Sequence, residues 1–235
     1  AVCTLVLLLV SLQCMAKDVM NMQARSELVD EILAQRFEQV LPSLMQRTNI
    51  DMWVIMSREY NEDPVIKTML PSTWLSARRH TMLVIYNPGA GKPLERLAVA
   101  RYAVTDLFEK AWDKEAQPNQ WEALAEIIEA RNPKRIAVNV SDAFALADGM
   151  SSTENRKFMA ALSPTFKDRV VSGEKLAIAW LETRSKLEMQ HYPTLTQIGH
   201  KLIGTAFSNE VITPGITTTD DCLLYTSDAA DDSDC

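Results

Sequence analysis

Short unbroken apolar runs set between amphipathic stretches constrain this chain most. Met52-Trp53-Val54-Ile55-Met56, Thr81-Met82-Leu83-Val84-Ile85-Tyr86 and Arg135–Val140 each have the length and apolar content of a buried strand. Between them the period changes. Leu28, Ile32, Leu33, Phe37, Val40, Leu41 and Leu44 recur at three- and four-residue steps, which predicts an amphipathic helix over residues 24–46. Pro42 is expected to kink that helix or stop it early, and Asn49-Ile50-Asp51 breaks it. Asn87-Pro88-Gly89-Ala90-Gly91 turns the chain into a return strand around Leu94–Ala100, a hairpin pattern. Trp121–Arg131 reads as a helix closed by Asn132-Pro133. Ser151–Leu162 reads as another, opened by a Ser/Thr cap with Glu154 three residues after Ser151. Val170-Val171 is a short extended piece and Glu174–Glu182 a short helix. Interleaved strands and helices with one antiparallel hairpin predict an α/β fold: a mixed β-sheet flanked by helices, over residues 17–175.

The character changes from Thr183. Leu187, Leu195, Ile198, Leu202, Ile203 and Ala206 outline a new amphipathic helix ending near Val211-Ile212, with Pro193 as its start or a kink. Pro214-Gly215 forces a turn, and Thr217-Thr218-Thr219-Asp220 offers caps for one more helix. Residues 176–221 therefore read as a linker and the opening helices of a second domain. Residues 222–235 follow without periodicity, with Asp228, Asp231, Asp232 and Asp234 repelling one another, and read as a non-native tail. At the other end, the apolar run Leu5–Val10 and the small-residue spacing of Cys14-Met15-Ala16 before Lys17 resemble the core and cleavage site of a secretory signal peptide. Residues 1–16 are thus an incomplete leader of an exported protein, periplasmic or secreted, too short for a stable membrane anchor.

Several chemistries lack the residues they need. A net charge of −7 and scattered basic residues argue against a nucleic-acid partner. The four cysteines, Cys3, Cys14, Cys222 and Cys235, lie in the leader and the tail, which leaves the body without thiols. Gly91-Lys92 lacks the preceding Gly and following Ser or Thr of a phosphate loop, with Tyr86 and Pro93 in those places. His191 and His200 stand too far apart for a helical metal pair, and no Gly-x-Ser-x-Gly elbow is present. Asn139-Val140-Ser141 is a glycosylation sequon at a strand end. Trp74, Arg78, Arg79 and His80 form the one polar-aromatic group suited to holding a peptide's main chain or end.

Three stretches together resemble the pita-bread metallopeptidases, the group of aminopeptidase P, prolidase and creatinase. Met52–Pro64 resembles the opening of the creatinase-like amino-terminal domain of exported Xaa-Pro aminopeptidases, and Ala77–Val84 resembles its next strand. Ser208-Asn209-Glu210-Val211-Ile212-Thr213-Pro214-Gly215-Ile216-Thr217-Thr218-Thr219-Asp220 resembles the first helix and Pro-Gly turn of the catalytic domain. The resemblance spans residues 24–221. It implies a homodimeric parent enzyme that cleaves Xaa-Pro bonds of peptides with two divalent metals, manganese or zinc, held by two Asp, one His and two Glu. No position of this sequence matches those ligands, so the expectation is an inert fragment with no catalytic and no metal residues, its pita-bread α+β domain truncated. Asp220 and Asp221 read as helix caps. The resemblance also implies that Trp74, Arg78, Arg79 and His80 border the catalytic cleft. A non-catalytic exported binding or dimerisation module is the rival reading; among enzymes, a prolidase or creatinase-type amidinohydrolase parent is the other.

Overall fold

In the computed structural model, which describes residues 19–89 and 91–221, the chain opens with one long rod. Helix α1 (Met22–Gln35) is capped by Asn21, whose side chain accepts the Ala24 amide at 2.8 Å. A π-helical turn, Arg36–Val40, joins it to α2 (Leu41–Thr48). The kink expected at Pro42 takes this form. Proline lacks the amide that would bond one turn back, and a single wider turn, closed by the Leu41 amide on the Arg36 carbonyl, accommodates it.

The sheet follows: β1 (Met52–Arg58), β2 (His80–Tyr86), β3 (Glu95–Val99), β4 (Glu109–Lys110), β5 (Ile136–Val138) and β6 (Val170–Ser172). The strand order is β4-β3-β2-β1-β5-β6. The hairpin read from the sequence is the antiparallel β2–β3 pair, with Met82 opposite Val99 and Tyr86 opposite Glu95. β1 is antiparallel to β2 and parallel to β5, and β6 and β4 extend the two ends in parallel. Only β2 runs against the rest, so the sheet is mixed, as expected.

Both faces are covered. On one, Trp53, Ile55, Leu83, Ile85 and Ala137 pack against the rod and against α6 (Glu174–Glu182), whose Trp180 is fully buried. On the other, Met52, Val54, Met82, Val84 and Val138 pack against α3 (Gln120–Arg131) and α4 (Ser152–Ala161). Two-sided burial is why these strands carry no polar alternation. Each large side chain removed from water contributes about 1.5–3 kcal/mol. The short α5 (Pro164–Lys167) leads into β6.

The chain divides into a compact unit over Met20–Glu188 and a second holding the described residues from Met189 on. Glu174–Glu182, outside the 17–175 span drawn from the sequence, belongs to the first unit's core. Helix α7 (Lys186–Ala206) carries the chain across the boundary, with Pro193 inside it rather than at its start. Beyond it, Gly215 at φ +79° makes the Pro-Gly turn, and helical residues resume at Thr219. The leader and the acidic tail lie outside the described residues. No helix among the described residues is long and apolar enough to cross a membrane.

Candidate functional site

The carboxyl edge of the sheet is where an open α/β fold usually offers a crevice, at the point where successive strands depart in opposite directions. Here that point lies between β1 and β5, and the protein's own side chains occupy it. Ser57 ends the buried part of β1, and its hydroxyl accepts the Asp63 amide at 3.2 Å. Asp63 Oδ1 accepts the amides of Val65 and Ile66 at 2.7 and 3.2 Å, capping the 3₁₀ turn Ile66–Met69. Its other oxygen accepts Asn139 Nδ2 at 2.9 Å, and Asn139 Oδ1 accepts the Trp53 indole N–H at 2.8 Å. An indole only donates, so Asn139 must turn its oxygen to Trp53 and its amino group to Asp63. Asp63 and Asn139 are each 1% exposed. Burial pushes the Asp63 carboxyl up from 3.8 to about 6, against the pull of its hydrogen bonds, and the charge of Glu154 adds to the rise. Gly149 closes the site. A Cβ there would sit 2.1 Å from Asp63 Oδ2 and 2.9 Å from Asp63 Cα.

Glu154 stands beside this network at the start of α4. Ser151 and Glu154 form the capping box foreseen from their spacing, with Glu154 Oε2 accepting the Ser151 amide at 3.0 Å and hydroxyl at 2.6 Å. Its other oxygen lies 3.3 Å from His80 Nε2 and 3.9 Å from Arg58 Nε. Burial opposes the Glu154 charge, but the contacts from His80 and Ser151 hold its carboxyl below the ordinary glutamate value. Gln120 sets the ring's other nitrogen. Its Nε2 donates to the carbonyls of His80 and Val99, so its Oε1 must accept from His80 Nδ1, 3.0 Å away. With Nδ1 a donor, the contact at Nε2 attracts only when the imidazole carries both protons.

The four residues grouped in the sequence therefore part. Trp74, Arg78 and Arg79 stay together around a cleft of about 510 Å³ that Glu59 and Tyr102 also line. Arg78 stacks its guanidinium 5.1 Å over the Trp74 ring, and Trp74 meets Tyr102 edge-on at 5.7 Å. Arg79 holds a left-handed φ of +56°, and its amide donates to Glu59 Oε2 at 3.2 Å. Leu75 and Tyr60, each 93% exposed, project nearby in sequence. His80 does not line this cleft; it is committed to Gln120, Glu154 and the Trp121 ring. Arg78 and Arg79 precede β2, and the left-handed backbone of Arg79 redirects the chain just before His80 begins the strand, which parts His80 from them.

Asn139 carries the sequon, but with both amide atoms bonded in the core it offers no acceptor nitrogen in the folded protein. The Asp63-Pro64 pair was the readable sign of a cap; the partnership with Asn139, far off in sequence, had none. Asp221 caps the turn at Thr218: its carboxylate takes the Thr218 amide and hydroxyl at 2.7 and 2.8 Å, which holds it below the usual aspartate value. Among the described residues no three His, Cys, Asp or Glu side chains converge as a metal-binding group. No protein-family model matches the sequence, and no curated protein matches it.

Proposed function

We propose that the described residues are the creatinase-like amino-terminal domain and the lead-in helix of an exported, metal-dependent Xaa-Pro aminopeptidase-like hydrolase. One observation carries this reading more than any other. Helix α7 has no buried residue, and Leu195, Leu202, Ile203 and, just beyond it, Phe207 are 60–78% exposed. A helix of this length gains its stability from a covered apolar face, so α7 and the Pro-Gly turn suit the opening of a further domain. The mixed, two-sided sheet of the first unit is compatible with the amino-terminal domain. In this reading other residues would hold two divalent metals, which would supply the Lewis acidity and the activated water that hydrolysis needs. The described residues contribute the lip. Trp74 and Tyr102 offer flat apolar faces, and Arg78 and Arg79 offer donors to a peptide carbonyl or carboxylate.

The test is to follow the reading frame past Asp221 and express the longer product. It should encode two Asp, one His and two Glu and release the first residue of an Xaa-Pro peptide in the presence of manganese, while the present chain should not. A longer product without those ligands, or turnover by the present chain at the same rate, would sink the proposal. Replacing Arg78 and Arg79 with Ala in the longer enzyme should raise KM.

The rival, a binding module without chemistry, draws on the same lip. Trp, Tyr and Arg are the residues that dominate protein contacts, and here they surround one cleft. A longer product that dimerises through this face yet hydrolyses nothing would favour it.

A further inference from the structure

A second cleft, of about 760 Å³, opens at the amino edge of the sheet, the end opposite Asp63. The rod supplies Phe37, Glu38, Pro42 and Met45 to it; the β2–β3 connection and β3 supply Lys92, Leu94 and Arg96; Ile50 and Asp51 close it. Arg96 pairs with Ile85 across the hairpin, so its side chain lies on the face covered by the rod, with the guanidinium 5.2 Å over the Phe37 ring. Its Nη1 has lost water and has no hydrogen-bond partner. Two other half- or fully buried arginines show how this fold normally treats the group. Arg131 donates to Glu95 at 2.7 Å and to the Ile127 carbonyl, and Arg36 donates to Glu188 at 2.8 Å and to the Thr183 carbonyl at 2.6 Å. No group among the described residues accepts from the Arg96 guanidinium in this way, so the part of it that lines the cleft is free to take an acceptor from outside.

We propose that this cleft binds a small amphipathic carboxylate. Its carboxylate docks on the Arg96 guanidinium with Lys92 as the second cation, and its apolar body lies against Pro42, Ile50 and Leu94. The acids on the walls set the charge limit. Asp51 is occupied by the Lys134 and Arg135 amides, which bond its Oδ2 at 2.9 and 3.0 Å. Glu38 remains an exposed negative charge, so a monoanion fits better than a phosphate dianion. The two cations disfavour an amine. This site is independent of the peptidase reading, since it needs neither metal nor further chain.

The full chain is titrated with hexanoate, with inorganic phosphate and with hexylamine, following the side-chain N–H resonances of arginine. Hexanoate should bind saturably at one site and shift the Arg96 signal, with phosphate and hexylamine each weaker by about tenfold. Arg96→Gln should weaken hexanoate by about tenfold or more, the loss of a charge-assisted bond, without lowering the unfolding midpoint. Arg96→Lys, which keeps the charge but loses the planar fork, should weaken it several-fold and decides the matter alone if the glutamine variant does not fold. Equal hexanoate affinity in wild type and variant, no saturable binding, or tighter binding of phosphate would each overturn the proposal.

Discussion

Acidification should stabilise the first unit through Asp63, against the usual behaviour of buried carboxylates in salt bridges. A carboxyl raised from 3.8 to about 6 holds its proton more tightly in the folded than in the unfolded protein. At about 1.4 kcal/mol per pH unit, the difference is about 3 kcal/mol. The sign follows: this contribution is fully present below 3.8, declines as pH rises, and is gone above about 6. Glu154 works the other way, because its depressed carboxyl gives stability that is lost as pH falls through its folded value. The raw profile therefore mixes the two, and Asp63→Asn separates them. Asparagine can still accept the Val65 and Ile66 amides, but its amino group faces that of Asn139, a mismatch costing about 1–3 kcal/mol at every pH. Urea unfolding, followed by tryptophan fluorescence, should be run on both proteins from about pH 7 to about pH 3.5. The advantage of wild type over Asp63→Asn should grow by about 3 kcal/mol on acidification. An advantage that stays constant or shrinks would refute the burial argument.

Other substitutions test the remaining contacts. Gly149→Ala should cost about 3 kcal/mol or more, since the new methyl meets both the Asp63 carboxylate and its backbone; thermal unfolding measures it, and a loss near zero would mean the loop shifts freely. Arg36→Met should cost about 3 kcal/mol by leaving Glu188 and the last carbonyls of α6 without their donor, read by denaturant midpoint; an unchanged midpoint would show the guanidinium adds nothing. Ser151→Ala should remove about 1 kcal/mol with the capping box, and amide exchange in the first turn of α4 should rise with it.

The central strands β1, β2 and β5 were legible because they are almost continuously apolar, a pattern with few homes besides a layer covered on both sides; β4, the exposed pair Glu109-Lys110, carries no such pattern and was not read. The Ser151–Glu154 box and the Asn132-Pro133 stop were legible because their partners lie within one turn. What escaped depends on pairing across distance. Nothing in Asp63-Pro64 or Asn139-Val140-Ser141 alone announces that the two side chains bond each other directly while Trp53 donates to Asn139. The separation of His80 from Arg78 and Arg79 was hidden for another reason: the left-handed turn at Arg79, which nothing in the local sequence announces, redirects the chain just before β2 begins. The wide turn at Arg36–Val40 was half legible, since Pro42 announces a defect but not whether the rod bends, breaks or widens there.

The order of strands also bears on the sequence of events in folding. β2 and β3 pair by a short return and β1 joins β2 across the longer segment 59–79, whereas β5 reaches β1 only after the still longer excursion through β2, β3, β4 and α3. Local pairings cost little chain entropy, so the β1–β2–β3 meander is expected to assemble before β5 docks. The Asp63–Asn139–Trp53 contact then closes among the last, as a latch on an already formed half. Asn139→Ala should therefore quicken unfolding while leaving the folding limb of the chevron almost unmoved.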